Sequence, residues 1–575
     1  MDDFRLHVIE KIIDEVGSDG IDEGILEVPP DPKLGDYAFP CFVLSKKLKR
    51  APNQIAEFLK DKIKTDDIIS EVKNIGPYLN FFVNKEKVAE KTLRDVRDKK
   101  ETYGHSDSGK GKTVLVEYPG PNTNKPLHVG HVRNMALGQS MARILETQGF
   151  TVKRVNIVND RGVHICKSML AYKRWGEGKT PESEDRKSDH FVGDYYVLYN
   201  TKAKDDDSLE QEAKAMIKKW EEGDKEIRAL WNKMNAWAFS GFAETYKRFD
   251  LEPFDKEYYE SNTYEGGKKM VLDGVKKGLF VKNEEGAVVV DLEAEGLGEK
   301  VLLRSDGTSV YITQDLYTAN LRHDDYKFNK MVYVVATEQN YHFKVLFSLL
   351  KKLGHPWADG CYHFAYGMVN LPEGKMKSRE GTVVDADDLM LEMEELAKDE
   401  ILKRYKDMEV QAVHDRAKMI GLGAIKFYLL KIDAIKDITF IKEESVSFEG
   451  DTGPYLQYTH ARARSILRKA ESQGIEVSDD VAFGKLVHDS EIALVHALAD
   501  FPDKVVEASE AFRPHIIAQQ LLAIGRGFNE FYHACPCLQE EDKELAVARL
   551  LLVDCTRQVI DNGLLMLGIN APEEM

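Results

Sequence analysis

Two histidines three residues apart flank Gly130 in the run His128-Val129-Gly130-His131. The run follows the apolar stretch Thr113–Tyr118 and stands where a helix is expected to begin, so both imidazoles share one face of the helix start. Free amides and the positive helix end suit an anion there, and the pair can donate hydrogen bonds to phosphate oxygens as negative charge builds on them. Gly130 leaves space for a base or ribose to approach the backbone, and Lys125 adds a point charge nearby. This is nucleotide chemistry, although the bare spacing also fits metal binding or a chance helix start. A second cationic run, Lys375-Met376-Lys377-Ser378, taken alone reads as a solvated charge run.

The elements that must position these residues follow from periodicity. Strand Thr113–Tyr118, a helix over about Gly130–Gln148 and strand Lys153–Val158 make a βαβ unit that opens a parallel sheet. Sheet-like segments resume at Ser309–Thr313, Met331–Ala336 and Phe364–Val369. Between them, residues 175–300, rich in Lys and Glu with few clear strands, read as an insertion. Upstream, Phe4, Val8, Ile9, Ile12, Ile13 and Val16 recur at helical spacing, and the turn-rich stretch Pro29–Asp36 interrupts the pattern. A helix near Gln54–Lys64 and the extended run Tyr78–Val83 complete a small α+β domain, expected over about residues 1–105. The catalytic unit is expected over about 106–416, and from about 417 to 575 the pattern is helical, as in a bundle. The run Gly104–Lys110 nearly spells a phosphate-cradling loop. It lacks the hydroxyl at position 111 and precedes a strand, so it reads as a linker.

The chain has 575 residues, 43% hydrophobic and 31% charged, with a net charge of −18, which argues against loose, charge-driven nucleic-acid binding. The six scattered cysteines suit reduced thiols better than a disulfide framework. Met1–Arg5 opens no secretory signal and Leu545–Val553, which contains Arg549, is too short to span a bilayer, so the expectation is a cytoplasmic enzyme with no membrane partner. His533, Cys535 and Cys537 lack a second ligand pair at zinc-finger spacing, and no structural metal is expected.

The segment Glu117 to His131 spells E-x-x-x-P-N-x-x-K-P-x-H-x-G-H, which resembles the first nucleotide motif of class I aminoacyl-tRNA synthetases in its arginyl form. The resemblance implies an α/β, Rossmann-like class I catalytic domain, with the α+β domain before it and an all-α bundle after it. Lys375, Met376, Lys377 and Ser378 stand where the second class I motif falls, with Arg379 and Glu380 departing from its general form as arginyl members do; Lys125 is the residue thought to compensate. His128, Gly130, His131 and the Lys375–Ser378 loop would hold ATP, with magnesium accompanying it. Glu117, Asn122, His128, Tyr311, Asp315 and Gln339 match the residues that hold arginine, Tyr311 and Asp315 being expected on a strand. A carboxylate accepts two parallel bonds from a guanidinium, which an ammonium cannot copy. Asn159-Asp160-Arg161-Gly162 keeps Asp160 and Gly162 in type but has Arg161 where the resemblance implies an aromatic in many relatives.

Tyr455, Tyr458 and Arg462 resemble the opening of an anticodon-binding bundle, and Tyr78 and Asn80 match the arginyl domain that touches the tRNA elbow. The implied activity is ATP-dependent formation of arginyl-adenylate and transfer to tRNA(Arg), by a monomer that needs bound tRNA for the first step. Two rivals stand beside it: an adenylyltransferase using the same histidines on a small metabolite, and a synthetase-like RNA-binding protein without catalysis.

Overall fold

Val114, Leu115 and Val116 are fully buried, as expected of a strand covered on both faces. In the computed structural model, which describes residues 2–29, 32–370, 372, 384–475 and 481–575, they lie in the middle of a five-stranded sheet. Its strands are β1 (Thr113–Glu117), β2 (Thr151–Val158), β3 (Lys256–Tyr259), β4 (Lys330–Ala336) and β5 (Cys361–Tyr366), all parallel, in the order β5-β4-β1-β2-β3. The chain runs outward from β1 through β2 to β3 and then crosses back to β4. That reversal opens a crevice beyond the carboxyl ends of β1 and β4, where open α/β sheets receive ligands.

The helix Val129–Thr147 leaves β1 and lies on the sheet. Gly138 permits the close approach, since a Cβ there would sit 2.4 Å from the Tyr118 ring. Two buried polar residues then fix its position. Asn134 donates to the carbonyl of Val334 at 2.6 Å and to the Tyr366 hydroxyl at 3.1 Å. Arg133, with no exposed surface, donates to the carbonyls of Ala434 at 3.0 Å and Lys436 at 2.9 Å.

Two expectations are corrected. Ser309–Thr313 is no strand; apart from an isolated bridge at Ser309, the segment leads into a helix spanning Tyr311–Tyr326. Tyr, Ile and Thr favour strands locally, but Ile312, Leu316 and Ala319 recur at helical spacing and bury together, and that packing overrides propensity. Nor is the stretch 175–300 wholly outside the sheet, because β3 pairs with β2. The remainder splits in two. Helices Ser188–Lys202, Ser208–Glu221 and Lys225–Arg248 pack with Val163–Trp175 around a separate core that includes Met169, Phe191 and Trp220. A small antiparallel sheet of Val281–Lys282, Val288–Leu292 and Gly298–Leu303 follows.

At the N-terminus, Tyr37–Pro40, Tyr78–Val83 and Ile69–Ile75 form an antiparallel sheet against the helices Asp2–Val16 and Pro52–Lys62. At the other end, helices Gly453–Ser472, Asp489–Ala499, Phe501–Ala511, His515–Ala534 and Lys543–Met566 pack together. Among the described residues, no helix is long and apolar enough to cross a membrane.

Candidate active site

His128 is the N-cap of the helix Val129–Thr147 and His131 is its third residue, and each ring serves the backbone. Nδ1 of His128 accepts the Gly130 amide at 3.1 Å, and Nδ1 of His131 accepts the His128 amide at 3.1 Å. This is a capping box built from imidazoles. The reciprocal bonds fix the tautomer: both Nδ1 atoms accept, so in the neutral rings both protons sit on Nε2. Burial, with Lys125 adding to it, drives the pKa of His128 down to about 3. Burial and the neighbouring His128 push His131 well below the ordinary imidazole range. The pair is therefore neutral at physiological pH, its ring centroids 4.0 Å apart, and neither Nε2 has a partner among the described residues. Gly130 is required by the ring itself, since a Cβ there would lie 2.9 Å from Cε1 of His128.

Both histidines line a cleft of about 510 Å³ at the reversal of strand order, within the size range of small-molecule sites. Its walls include Glu117, Gly130, Asn134, Asp315, Glu338, Gln339 and His342. Thus Glu117, His128, Gly130, His131, Asp315 and Gln339 are brought together. Asp315 accepts from Nε2 of His342 at 2.6 Å. Glu117 is ion-paired with Arg322, both buried. Burial raises the Glu117 pKa against the opposing Arg322 charge, and Asp315 pushes the same way as burial. Tyr311 stands apart: it is 69% exposed at the helix start and does not line the cleft. Asn122 bridges to Asn159 beside the β1–helix connection and also lies off the cleft wall. Lys125 lines a neighbouring hollow of about 200 Å³ on the other side of His128, and burial lowers its pKa. Lys375, Met376, Lys377 and Ser378 lie outside the described residues.

The chain just after that run is tied to the histidine segment. The Val129 amide donates to the Val384 carbonyl and the Ala386 amide to that of Leu127, each at 3.0 Å. Among the described residues, Asp189, His190 and Asp387 form the one group with metal-ligand spacing. Lys187 already supplies a cation there, with Nζ 2.7 Å from Asp387 and 3.1 Å from Asp189. Burial opposes a proton on His190, but Asp385 and Asp387 outweigh it and lift the pKa to about 10. Burial likewise opposes the Asp387 charge, yet His190 and Lys187 hold that carboxyl down to about 2. The cluster reads as an ion-pair network that anchors the helix Ser188–Lys202 to the start of the helix Ala386–Arg404.

Three family descriptions match the chain. "tRNA synthetases class I (R), catalytic domain" covers residues 92–441. "Arginyl tRNA synthetase N terminal domain" covers residues 5–83 and "DALR anticodon binding domain" residues 456–575. An arginine–tRNA ligase of Treponema denticola is 48% identical over 560 residues, 96% of this chain and 94% of its own length. The chain belongs to the arginyl class I tRNA synthetases. The corresponding ligase of Treponema pallidum is 44% identical, with 99% of this chain and 98% of its own covered. The solved arginyl-tRNA synthetase of Thermus thermophilus superposes with a TM-score of 0.84 at 29% identity, covering 99% of this chain and 100% of that one.

Within an arginyl synthetase the remaining predicted residues are accounted for unevenly. Tyr455, Tyr458 and Arg462 share one half-buried face of the helix Gly453–Ser472. They line a hollow of about 460 Å³ with Arg404, Phe448, Arg526 and Phe528, and the Arg462 guanidinium lies 4.2 Å from the Tyr532 ring. Tyr78 packs edge-on against the half-exposed Phe42. Asn80 does not face outward: it is 3% exposed and its amide donates to the Leu34 carbonyl, so it holds the preceding loop in place. Arg161 fills the aromatic position by stacking, its guanidinium 4.0 Å from the Tyr264 ring and 5.4 Å from Trp220 and paired with Glu221. Sequence reasoning missed Arg322 and His342. Arg322 lies seven residues past Asp315, a spacing that returns to the same helix face. His342 closes the run Glu338-Gln339-Asn340-Tyr341-His342, of which only Gln339 was assigned.

Proposed function

We propose that this chain activates L-arginine with ATP to arginyl-adenylate and transfers the arginyl group to the 3′ end of tRNA(Arg). The observation that carries the reading is one cleft, at the switch in strand order, lined both by the neutral histidine pair and by the carboxylates Asp315 and Glu117. In the first step the arginine carboxylate attacks the α-phosphate of ATP and pyrophosphate departs. The Nε2–H groups of His128 and His131 donate to phosphate oxygens on which charge accumulates, and their lowered pKa values keep them from spending the chemistry as bound cations. In the second step the terminal ribose hydroxyl of the tRNA attacks the adenylate carbonyl and AMP leaves. No protein nucleophile takes part, and catalysis is positioning and charge stabilisation.

Asp315 is the acceptor for the guanidinium, with Gln339 and Glu117 completing the amino-acid site. Tyr311 and Asn122 are assigned to the same substrate as elements that close on it. Lys125, Lys375 and Lys377 supply positive charge for the triphosphate, and magnesium enters with ATP. Tyr455, Tyr458 and Arg462 stack on and neutralise unpaired anticodon-loop nucleotides, and Tyr78 beside Phe42 meets the tRNA elbow. The enzyme acts as a monomer in the cytoplasm. Arginine-dependent exchange of pyrophosphate into ATP in the presence of tRNA(Arg) tests the reading. Absence of exchange with every amino acid, with and without tRNA, would refute it in favour of an RNA-binding role.

A further inference from the structure

Behind the cleft wall, paired with Glu117 that lines it, lies a buried cation that the chemistry above does not use. Arg322 projects from the helix that also carries Asp315, and its side chain is 2% exposed. Among the described residues, Glu117 is its only ion-pair partner, itself nearly as buried. The rings of Tyr258 and Tyr333 lie 5.1 and 5.7 Å from the guanidinium carbon, and Nε has no hydrogen-bond partner. A buried pair with unmet donors stabilises a fold less than apolar side chains of equal volume would. The pairing therefore calls for a reason beyond folding, and Glu117 supplies one because it lines the cleft.

We propose that Arg322 is a positioning residue for arginine selection, pinning one side of Glu117 so that this carboxylate is held in orientation toward the cleft and presents its free edge to a cationic group of the substrate. The inference rests on the arginine reading above. Without Arg322, burial and the Asp315 charge both drive Glu117 to take up a proton. A protonated Glu117 presents a donor to a substrate end that is itself all donors. The other titratable groups around the pair do not intervene. Tyr258 on β3, Tyr333 on β4 and Cys361 on β5 are pushed up by burial and stay neutral. From the helix Tyr311–Tyr326 comes Asp315, which His342 on the helix Asn340–Lys352 already engages. Glu338, at the end of β4, completes the charged lining, and His128 and His131 are neutral.

Pyrophosphate exchange with saturating tRNA separates this role from a structural one. In R322M the KM for arginine should rise about tenfold or more at pH 7 while the KM for ATP stays within about twofold, the usual scale for losing one partner of a buried charge pair. A packing defect would raise the KM for ATP together with that for arginine, and would lower kcat as well. An unchanged arginine KM overturns the proposal, as does an equal rise in both KM values. Should R322M not fold, R322K keeps the charge but not the fork. Its arginine KM should rise at least about threefold with ATP unaffected, and a wild-type value overturns the proposal. Wild-type enzyme without arginine-dependent exchange would instead sink the substrate reading.

Discussion

His128 holds two jobs that substitution can separate. Its Nδ1 caps the helix through the Gly130 amide, and its Nε2–H is the donor offered to the cleft. His128→Ala removes both, and loss of an N-cap costs about 0.5–2 kcal/mol of stability. His128→Asn keeps a cap acceptor and should recover most of that loss in a urea melt. Neither variant can donate from the Nε2 position, so both should lose about 10²–10³ in the rate of adenylate formation, about 2.7–4 kcal/mol of transition-state stabilisation. The assay is single-turnover adenylate formation with tRNA present, beside the melt. An Asn variant within about threefold of wild type in rate, or rates that simply track stability in the two variants, would refute the assignment of Nε2–H to catalysis. The pKa direction adds a second reading. The folded-state pKa of His128, about 3, lies below its unfolded value, so below about pH 6.5 the unfolded chain binds more protons. Stability contributed by the neutral ring is lost as pH falls, by up to about 1.4 kcal/mol per pH unit, and His128→Asn should remove that share of the acid slope.

Asp315→Asn should weaken arginine use by about 2–5 kcal/mol in kcat/KM, leaving the KM for ATP nearly unchanged; an unaltered arginine KM and turnover would show that the guanidinium binds elsewhere. His190 shows the opposite linkage. Its folded pKa, about 10, lies above the unfolded value, so its ion pairs with Asp385 and Asp387 stabilise fully below about pH 6.5 and are lost as pH rises toward 10. In urea melts His190→Gln should flatten the decline between about pH 7 and 10, which in wild type reaches up to about 1.4 kcal/mol per pH unit; identical slopes would contradict this. Arg462→Met should weaken tRNA binding and lower the salt slope by about one contact, and a slope equal to wild type would remove Arg462 from the RNA surface.

The nucleotide half of the site was legible in the sequence because its chemistry is local. His128, Gly130 and His131 act on one helix start, and β1 before them is marked by a run of buried valine and leucine. Even there the purpose of Gly130 changed, since the space it leaves is taken up by the His128 ring. What escaped depends on contacts far apart in the chain. The pairing of Glu117 with Arg322 joins β1 to a helix that arrives only after the helical insertion, and no periodicity announces it. Tyr311-Ile312-Thr313 looked extended because β-branched and aromatic residues are judged locally, whereas burial of Ile312, Leu316 and Ala319 decides the helix. β3 was overlooked because Lys256-Glu257-Tyr258-Tyr259 is short, charged and lies at a sheet edge. Asn80 matched a family position, but its strand turns the side chain inward, which a single sequence cannot tell without the register that pairs it with Ala38.

The central claim is that one cleft joins ATP chemistry to a guanidinium-selective site. Charging of tRNA(Arg) by the purified chain with ATP and each of the twenty amino acids in turn tests it most directly. Arginine alone should be transferred, with lysine at least about a hundredfold poorer in kcat/KM because an ammonium cannot use the carboxylate as a fork does. Efficient transfer of any other amino acid, or none of arginine, would contradict the account.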